Sequence, residues 1–347
     1  MAVDNPSTIL RINDLKTWFG HGDRTVRAVD GISFEIQKGE TFAILGESGC
    51  GKSMTALSMM QLVPPGGRMV SGSVEFHGQD LLKYSETQMR NVRGNRIGMI
   101  FQEPMTSLNP VLTTGEQIAE VLQQHIGLQG KVLQERVEEL LNQVGIPDPS
   151  RRRNDYPHQL SGGMKQRIMI AMALAAEPEL LIADEPTTAL DVTIQAQVLD
   201  LLQSLQDEKH MAILLITHDL GIVSDRVDHV AVMYAGQFVE QAPREEFFSN
   251  PKHPYTRKLF AALPARQKRN QALEVISGNV PSLDREFTGC RFADRCDEVW
   301  PLCHEQRPSW VELEGAQEHG VRCHRYDPKV DFKPQVTTKG PGRLANP

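Results

Sequence analysis

The chain has 347 residues, 40% of them hydrophobic, with 37 Lys and Arg against 44 Asp and Glu and a formal net charge of −7. This composition is typical of globular proteins, and at roughly 150 residues per domain the length predicts two domains. The acidic balance argues against a nucleic-acid binder, whose affinity comes from basic groups on phosphates. The longest apolar runs, such as 211–216, are far shorter than the roughly 18 residues of a membrane span, and residues 1–10 lack a signal-peptide pattern. The sequence therefore predicts a soluble chain that stays where it is made.

Short, continuously apolar runs recur along the chain, at residues 41–45, 180–183, 212–216 and 230–234. Such runs, alternating with helical stretches, are typical of strands that are buried on both faces of a largely parallel sheet. The sequence thus predicts an α/β core.

Other segments do not follow this pattern. Apolar residues at helical spacing predict a mostly helical insertion over about 110–178. After residue 260 the chain becomes charged and contains prolines, so we place a first domain at 1–265 and an extension at 266–330. The remaining segment, 331–347, has few apolar residues and is predicted to have little fixed structure.

Residues 46–53 read GESGCGKS and follow the first apolar run. They fit G-x-x-x-x-G-K-[ST], in which glycines let backbone amides turn toward phosphates and a helix N-terminus adds its positive end. Lys52 would reach the β- and γ-phosphates and Ser53 would bind Mg²⁺. The alternative, a glycine turn that only caps a helix, is disfavoured because chance gives the full pattern in about 1% of such chains. The predicted nucleotide-binding residues here are Gly46, Ser48, Gly49, Cys50, Gly51, Lys52 and Ser53.

An acidic pair, Asp184 and Glu185, follows the second apolar run. Alone, such a pair is more often a helix cap or a solvated turn. Beside a phosphate loop, Asp184 is the expected second anchor for Mg²⁺, and Glu185 can polarise the water that attacks the γ-phosphate.

A second glycine motif, LSGGMKQ, lies at residues 160–166. Ser161, Gly162 and Gly163 precede a helical run and predict another anion-binding helix start. In isolation, such a motif is more often a flexible loop with a serine cap. Two subunits that carry such turns can enclose a nucleotide between them, with one turn contributed by each subunit.

These motifs, together with Gln102, residues 189–191 and His218, follow one another in the order and approximate spacing of ATP-binding cassette (ABC) ATPases, which the chain resembles over about residues 8–265. The resemblance implies a P-loop core with a helical subdomain. It also implies that Gln102 contacts Mg²⁺ and senses a membrane partner. In the same way, residues 161–163 would contact the γ-phosphate of the opposite subunit.

The resemblance assigns three further roles. Asp191 would belong to the loop that contacts the other subunit, and His218 would hold the γ-phosphate and orient Glu185. A histidine after an apolar strand is otherwise more often a capped core residue. Phe19 resembles the aromatic residue that stacks on adenine, with the neighbouring Trp18 as a competitor.

The segments 46–53, 101–110, 156–164 and 183–197 resemble the D-type ATPase subunits of dipeptide and oligopeptide importers, as does KHPYT at 252–256. The resemblance implies ATP-driven peptide import with two membrane permease subunits, an extracytoplasmic peptide-binding protein and a second ATPase subunit. An F-type heterodimer is favoured, and a homodimer stays open. The chain would sit peripherally on the cytoplasmic face of the inner membrane.

Other functions remain as alternatives at this point. The cargo could be nickel or heme, or the chain could be an ABC ATPase that acts in DNA repair or translation without a membrane partner. A purely regulatory nucleotide-binding module would be expected to lack Glu185 or His218, and both are present.

The last feature is a group of cysteines in the extension: Cys290, Cys296, Cys303 and Cys323. They form none of the tight Cys-x2–4-Cys knuckles that are usual for zinc, and Cys₄ ligation at wider spacing suits a 4Fe–4S cluster, which some D-type subunits carry. A structural zinc site, including a mixed one with His304 or His324, and free buried thiols are the alternatives. A cluster would stabilise an extension that has little core of its own.

Overall fold

The computed structural model describes residues 7–22, 25–103, 107–187, 191–262, 276–315 and 318–331. The strands are β1 (Thr8–Phe19), β2 (Val26–Gln37), β3 (Thr41–Leu45), β4 (Gly67–Phe76), β5 (Gln79–Asp80), β6 (Ile97–Ile100), β7 (Leu180–Asp184), β8 (Ala212–Thr217), β9 (His229–Tyr234), β10 (Gln237–Pro243), β11 (Val311–Glu312) and β12 (Gly320–Val321). The α-helices are α1 (Lys52–Met59), α2 (Glu86–Arg90), α3 (Thr114–His125), α4 (Gly130–Gln143), α5 (Pro149–Arg152), α6 (Gly162–Leu174), α7 (Val192–Lys209), α8 (Leu220–Arg226), α9 (Arg244–Ser249), α10 (Pro254–Ala261) and α11 (Pro301–Glu305).

The larger sheet has the strand order β11-β12-β10-β9-β3-β8-β7-β6. Its centre is parallel, since β3 pairs in parallel with both β8 and β9, and β7 pairs in parallel with β6 and β8. All residues of β3, β7 and β8 are buried, as expected for strands covered on both faces. The predicted α/β core is confirmed, and β3, β7, β8 and β9 correspond to the four apolar runs. Because parallel strands end at the same edge, the loops after β3, β7 and β8 lie side by side.

A smaller sheet with the order β2-β1-β4-β5 packs on the larger one. It is antiparallel, and sequence patterns did not predict it. Phe34 of β2 stacks on Phe42 of β3, with ring centroids 4.9 Å apart, and so joins the two sheets. This sheet carries Phe19 at the end of β1.

The helices between residues 110 and 178 lie between β6 and β7 in the chain. Thr113 and Glu116 form a capping box that fixes the start of α3. The apolar faces of α3, α4 and α6 pack in the main core through residues such as Ile118, Val137 and Ile170. The second glycine motif lies at the start of α6.

The extension packs directly against the core. Its strand β12 pairs antiparallel with β10, and His319 lies 2.9 Å from Glu240, with both side chains fully buried. Arg291 forms a buried ion pair with Asp30 of β2. The segment predicted as a tail, 331–347, lies outside the described residues except for Asp331.

Candidate nucleotide site

The phosphate loop connects β3 to α1, as the sequence pattern predicts. Gly51 has a φ of 112°, and a Cβ there would lie 2.2 Å from the Ala28 carbonyl oxygen. A Cβ on Gly46 would lie 2.3 Å from the Met233 carbonyl oxygen. Glycine is therefore required at both positions by close backbone approach, and the loop can curl tightly around a phosphate group.

Lys52 is buried inside this loop. Its Nζ donates to the carbonyl oxygens of Gly46, at 2.9 Å, and Glu47, at 3.1 Å. It also lies 3.8 Å from Glu185 Oε1, across from the end of β7. The lysine thus bridges the phosphate loop and the acidic pair, which is where the γ-phosphate of a nucleotide would lie.

Ser53 and Asp184 meet at the base of the site. Ser53 Oγ donates to Asp184 Oδ1 at 3.0 Å. Burial raises the pKa of Asp184 to about 6, despite the hydrogen bond from Ser53. A buried carboxylate beside a hydroxyl is a hard oxygen donor set that favours a cation, so these residues fit the expected Mg²⁺.

Glu185 receives contacts from both sides. Gln102 Nε2 donates to Oε2 at 3.1 Å, and His218 Nδ1 lies 3.4 Å from Oε1. Glu185 has a φ of 47°, in the left-handed region, and its amide donates to the Ile216 carbonyl at 2.8 Å. This unusual backbone conformation directs the carboxylate toward the site, as strained residues at functional sites often do. Leu45, Gly46, Glu47, Ser48, Glu185, His218, Leu220 and Leu259 line the adjoining cavity of about 430 Å³.

The second glycine motif makes its contacts elsewhere. Ser161 Oγ accepts from the Met164 amide at 3.3 Å and so caps α6, with Ser161 and Gly162 exposed. Asp191 caps α7 by accepting from the Ile194 amide at 2.9 Å. A Cβ on Gly163 would lie 3.0 Å from Ile194, so the two caps are neighbours on one exposed surface.

Phe19 and Trp18 differ in their surroundings. Trp18 Nε1 donates to Asp30 at 3.2 Å, and the Arg27 guanidinium lies 5.2 Å from the centre of the Trp18 ring. Phe19 is the next residue along β1, and its ring lies beside Gly67 of β4. Trp18 is therefore engaged by polar partners, whereas Phe19 packs beside a glycine of the neighbouring strand.

The four extension cysteines share one small cavity of about 20 Å³, which His324 also lines. Burial raises the pKa of Cys290 and Cys296 to about 12, that of Cys323 to about 11 and that of Cys303 above its usual value. His324 Nδ1 is buried without a hydrogen-bond partner. Within the described residues, however, no group of three or more His, Cys, Asp or Glu side chains is arranged to hold a metal ion. The four cysteines thus lie together, and the arrangement does not confirm the predicted metal centre.

Two side chains at the site were not predicted. Glu47 of the phosphate loop pairs with Arg295 of the extension at 3.0 Å. The two residues are 248 positions apart, so no local sequence signal connects them.

The comparisons with known proteins agree with this geometry. Residues 29–188 match the family described as "ABC transporter", and residues 239–303 match "Oligopeptide/dipeptide transporter, C-terminal region". The oligopeptide transport ATP-binding protein AppD of Bacillus subtilis is 49% identical over 322 residues, covering 92% of this chain and 98% of AppD. A probable peptide ABC transporter ATP-binding protein, y4tR of Sinorhizobium fredii, is 50% identical over 326 residues, covering 93% and 97%.

Solved structures show the same fold. The ATP-binding cassette MJ0796 in a dimeric post-hydrolysis state with ADP and Pi superposes with a TM-score of 0.62 at 26% identity, covering 68% of this chain and 98% of MJ0796. The structure of cbiO1 from Clostridium perfringens gives a TM-score of 0.60 at 30% identity, covering 70% and 92%. In the described part of the chain, no helix has both the length and the apolar character to cross a bilayer. The chain therefore belongs to the ABC transporter family as an ATP-hydrolysing subunit of the oligopeptide and dipeptide transporter group.

Proposed function

We propose that this chain hydrolyses ATP to power the import of di- and oligopeptides through a membrane permease. The observation that carries the proposal is the convergence of Lys52 and His218 on Glu185, beside a cavity that Glu185, His218 and the phosphate loop line. It occurs in a chain 49% identical to a protein named for oligopeptide transport. The matched C-terminal region, which bears the name of the same transporters, supports peptides over nickel or heme.

The test is reconstitution of the chain with two permease subunits and a second ATPase subunit in membranes. We expect ATP turnover to rise several-fold when an extracytoplasmic binding protein loaded with peptide is added. Stimulation only by a nickel- or heme-loaded binding protein would show that the cargo is nickel or heme rather than peptides. ATP turnover that does not change when permease subunits are added would instead favour an ABC ATPase that does not act in transport.

Different residues bind the phosphates, the metal ion and the attacking water. The phosphate-loop amides and Lys52 bind the phosphates, and Ser53, Asp184 and the side-chain oxygen of Gln102 are the proposed ligands of Mg²⁺. When bound, Mg²⁺ supplies positive charge for the phosphate oxygens. Glu185 accepts a hydrogen bond from the attacking water, and polarises it for attack on the γ-phosphate.

Gln102 and His218 support this role because they contact different oxygens of the same carboxylate. Held on both sides, the Glu185 side chain loses little rotational freedom when the water arrives. His218 is 62% exposed, so its ring is also accessible to a γ-phosphate.

We further propose that the surface with Ser161, Gly162, Gly163 and Asp191 completes the nucleotide site of a second ATPase subunit. The support is the exposure of Ser161, Gly162 and Asp191, together with the N-terminus of α6, since helix N-termini attract anions. An F-type partner that forms a heterodimer is the preferred arrangement, with a homodimer as the alternative. Phe19, which lacks the polar partners of Trp18, is the proposed platform for adenine.

The permease contact is proposed at an apolar groove of about 230 Å³ between β6 and the helical insertion. Phe101, which is 40% exposed, and Leu62, which is 37% exposed, lie in its lining. Gln102 directly follows Phe101, so a helix of the permease in this groove would be coupled to the Glu185 contact. The chain would then lie peripherally on the cytoplasmic face of the inner membrane.

For the extension, we propose that Cys290, Cys296, Cys303 and Cys323 hold a 4Fe–4S cluster, with zinc as the alternative. Four thiols around one cavity are the donor set that such a cluster requires. In the zinc alternative, the unpartnered His324 Nδ1 at the same cavity would be the histidine ligand of a mixed site. The proposed division is a nucleotide-binding domain at 1–265, with its helical subdomain at about 110–178, and an extension at 266–330.

A further inference from the structure

Arg295 of the extension contacts Glu47 of the phosphate loop. Arg295 Nη1 donates to Glu47 Oε1 at 3.0 Å and Arg295 Nη2 to Glu47 Oε2 at 3.2 Å, a bidentate ion pair. The Arg295 side chain is only 5% exposed, whereas that of Glu47 is 30% exposed. Paired charges of this geometry are among the stronger polar contacts in proteins.

Arg295 itself is held firmly. Its Nε donates to the Ser277 carbonyl at 3.1 Å, and its Nη1 also donates to the Tyr234 hydroxyl at 3.3 Å. The Arg295 carbonyl in turn accepts from Lys258 Nζ at 2.9 Å. These contacts hold the Arg295 guanidinium in place independently of Glu47.

Glu47 is fixed at its backbone as well. Its amide donates to the Tyr255 hydroxyl at 3.2 Å, and its carbonyl accepts from Lys52 Nζ at 3.1 Å. Any displacement of Glu47 thus displaces a carbonyl that holds the phosphate-binding lysine. A carboxylate at this position would also repel a triphosphate unless a cation neutralises it.

We propose that Arg295 is a positioning residue of the ATP site, which acts through Glu47. It fixes the conformation of the phosphate loop and neutralises the loop's only side-chain carboxylate. The extension accordingly contributes to nucleotide affinity through its contact with Glu47. This inference rests on the proposed ATP site and on the contacts of the Arg295 side chain with Glu47, Tyr234 and Ser277.

The test measures ATP binding to the full-length chain by titration calorimetry, and KM and kcat in the reconstituted transporter. We expect Arg295→Gln to raise both Kd and KM about tenfold, equivalent to about 1.4 kcal/mol, while kcat changes less than about twofold. Arg295→Lys keeps the charge without the bidentate geometry and should give an intermediate loss. The matched control is Arg285→Gln, which removes an extension arginine paired with Asp294 on the surface and should leave both constants unchanged.

The decisive measurement repeats the substitutions in a Glu47→Gln background. If Arg295 acts through Glu47, neither Arg295→Gln nor Arg295→Lys weakens ATP binding further there, because the partner is already gone. Equal losses in both backgrounds would overturn the proposal, as would wild-type affinity in Arg295→Gln with an unchanged Tm. Should Arg295→Gln fail to fold, Arg295→Lys alone and combined with Glu47→Gln decides the question.

Discussion

Glu185 and His218 meet 3.4 Å apart although they follow different strands, β7 and β8, which are neighbours in the parallel sheet. Glu185 turns back through a left-handed backbone conformation, and its amide bonds the Ile216 carbonyl of the adjacent strand. The contact is therefore set by the register of two buried strands. The proposed catalytic pair is thus held by the core of the protein rather than by a flexible loop.

The first prediction concerns Glu185. Glu185→Gln should retain ATP binding but lower kcat by at least about a hundredfold, since the attacking water loses the carboxylate that polarises it. Steady-state ATP turnover in the assembled transporter measures this. Glu179→Gln, a surface carboxylate paired with Arg96, is the control and should leave kcat unchanged. Near wild-type turnover in Glu185→Gln would remove Glu185 from its proposed role.

The second prediction concerns the shared site. Ser161→Arg should block hydrolysis at the partner's site, because a bulky cation occupies the start of α6, and should leave ATP binding at its own Lys52 largely intact. Mixed dimers that carry the substitution in one subunit, with nucleotide occupancy measured at each site, separate the two effects. A loss confined to the phosphate loop of the substituted subunit contradicts the shared-site arrangement.

The third prediction compares two glycines of positive φ. Gly51→Ala brings a Cβ to 2.2 Å from the Ala28 carbonyl, whereas a Cβ at Gly78, where φ is 73°, meets nothing within 4 Å. Gly78→Ala should therefore lower the free energy of unfolding by only about 1 kcal/mol, from backbone strain. Gly51→Ala should cost about 3 kcal/mol and abolish ATP binding. Equal stability losses with intact nucleotide binding would show that the loop tolerates a Cβ at residue 51.

The fourth prediction concerns the cysteines. Protein purified without oxygen should be brown, with close to four irons per chain as the proposed cluster requires, and Cys296→Ser should remove the colour. Cys50→Ser is the control, since Cys50 lies in the phosphate loop and not in the extension. Stoichiometric zinc without iron would assign the site to zinc and leave the ATPase function unaffected.

The fifth prediction is a pH dependence at His229. Its Nδ1 lies 2.5 Å from Glu40 Oε1, and this hydrogen bond raises the pKa of His229 above the ordinary value of 6.5. A raised pKa means that the contribution to stability is complete below about pH 6.5 and is lost as pH rises through the folded-state pKa. His229→Gln should therefore cost about 1 kcal/mol at pH 6 and less at pH 9, measured by thermal unfolding. A cost that does not change with pH would mean that the ring contributes by packing alone.

Much of the site was predictable because its residues lie in contiguous motifs. The phosphate loop, Asp184 and Glu185, and His218 each follow a continuously apolar strand, and such strands give a clear signal when they are buried on both faces. The parallel order of these strands then places their ends together.

The antiparallel sheet was missed for a physical reason. The pairing of β1 with β2 contains register shifts between Ile12 and Leu15 and between Thr17 and Phe19. Such irregularities interrupt the alternation of apolar and polar residues that identifies a half-buried strand. The two-residue strands β11 and β12 are too short to carry any periodic signal. The contact between Glu47 and Arg295 depends on the docking of the whole extension, which no local pattern records.

The pairing of β12 with β10 limits where this chain can be truncated without exposing a sheet edge. A chain that ended at residue 265 would leave β10 as an exposed sheet edge, with unpaired backbone groups that another chain could bind. It would also uncover Glu240, whose fully buried carboxylate would lose His319. A truncated fragment should therefore self-associate, even though it would contain the phosphate loop, the acidic pair and His218.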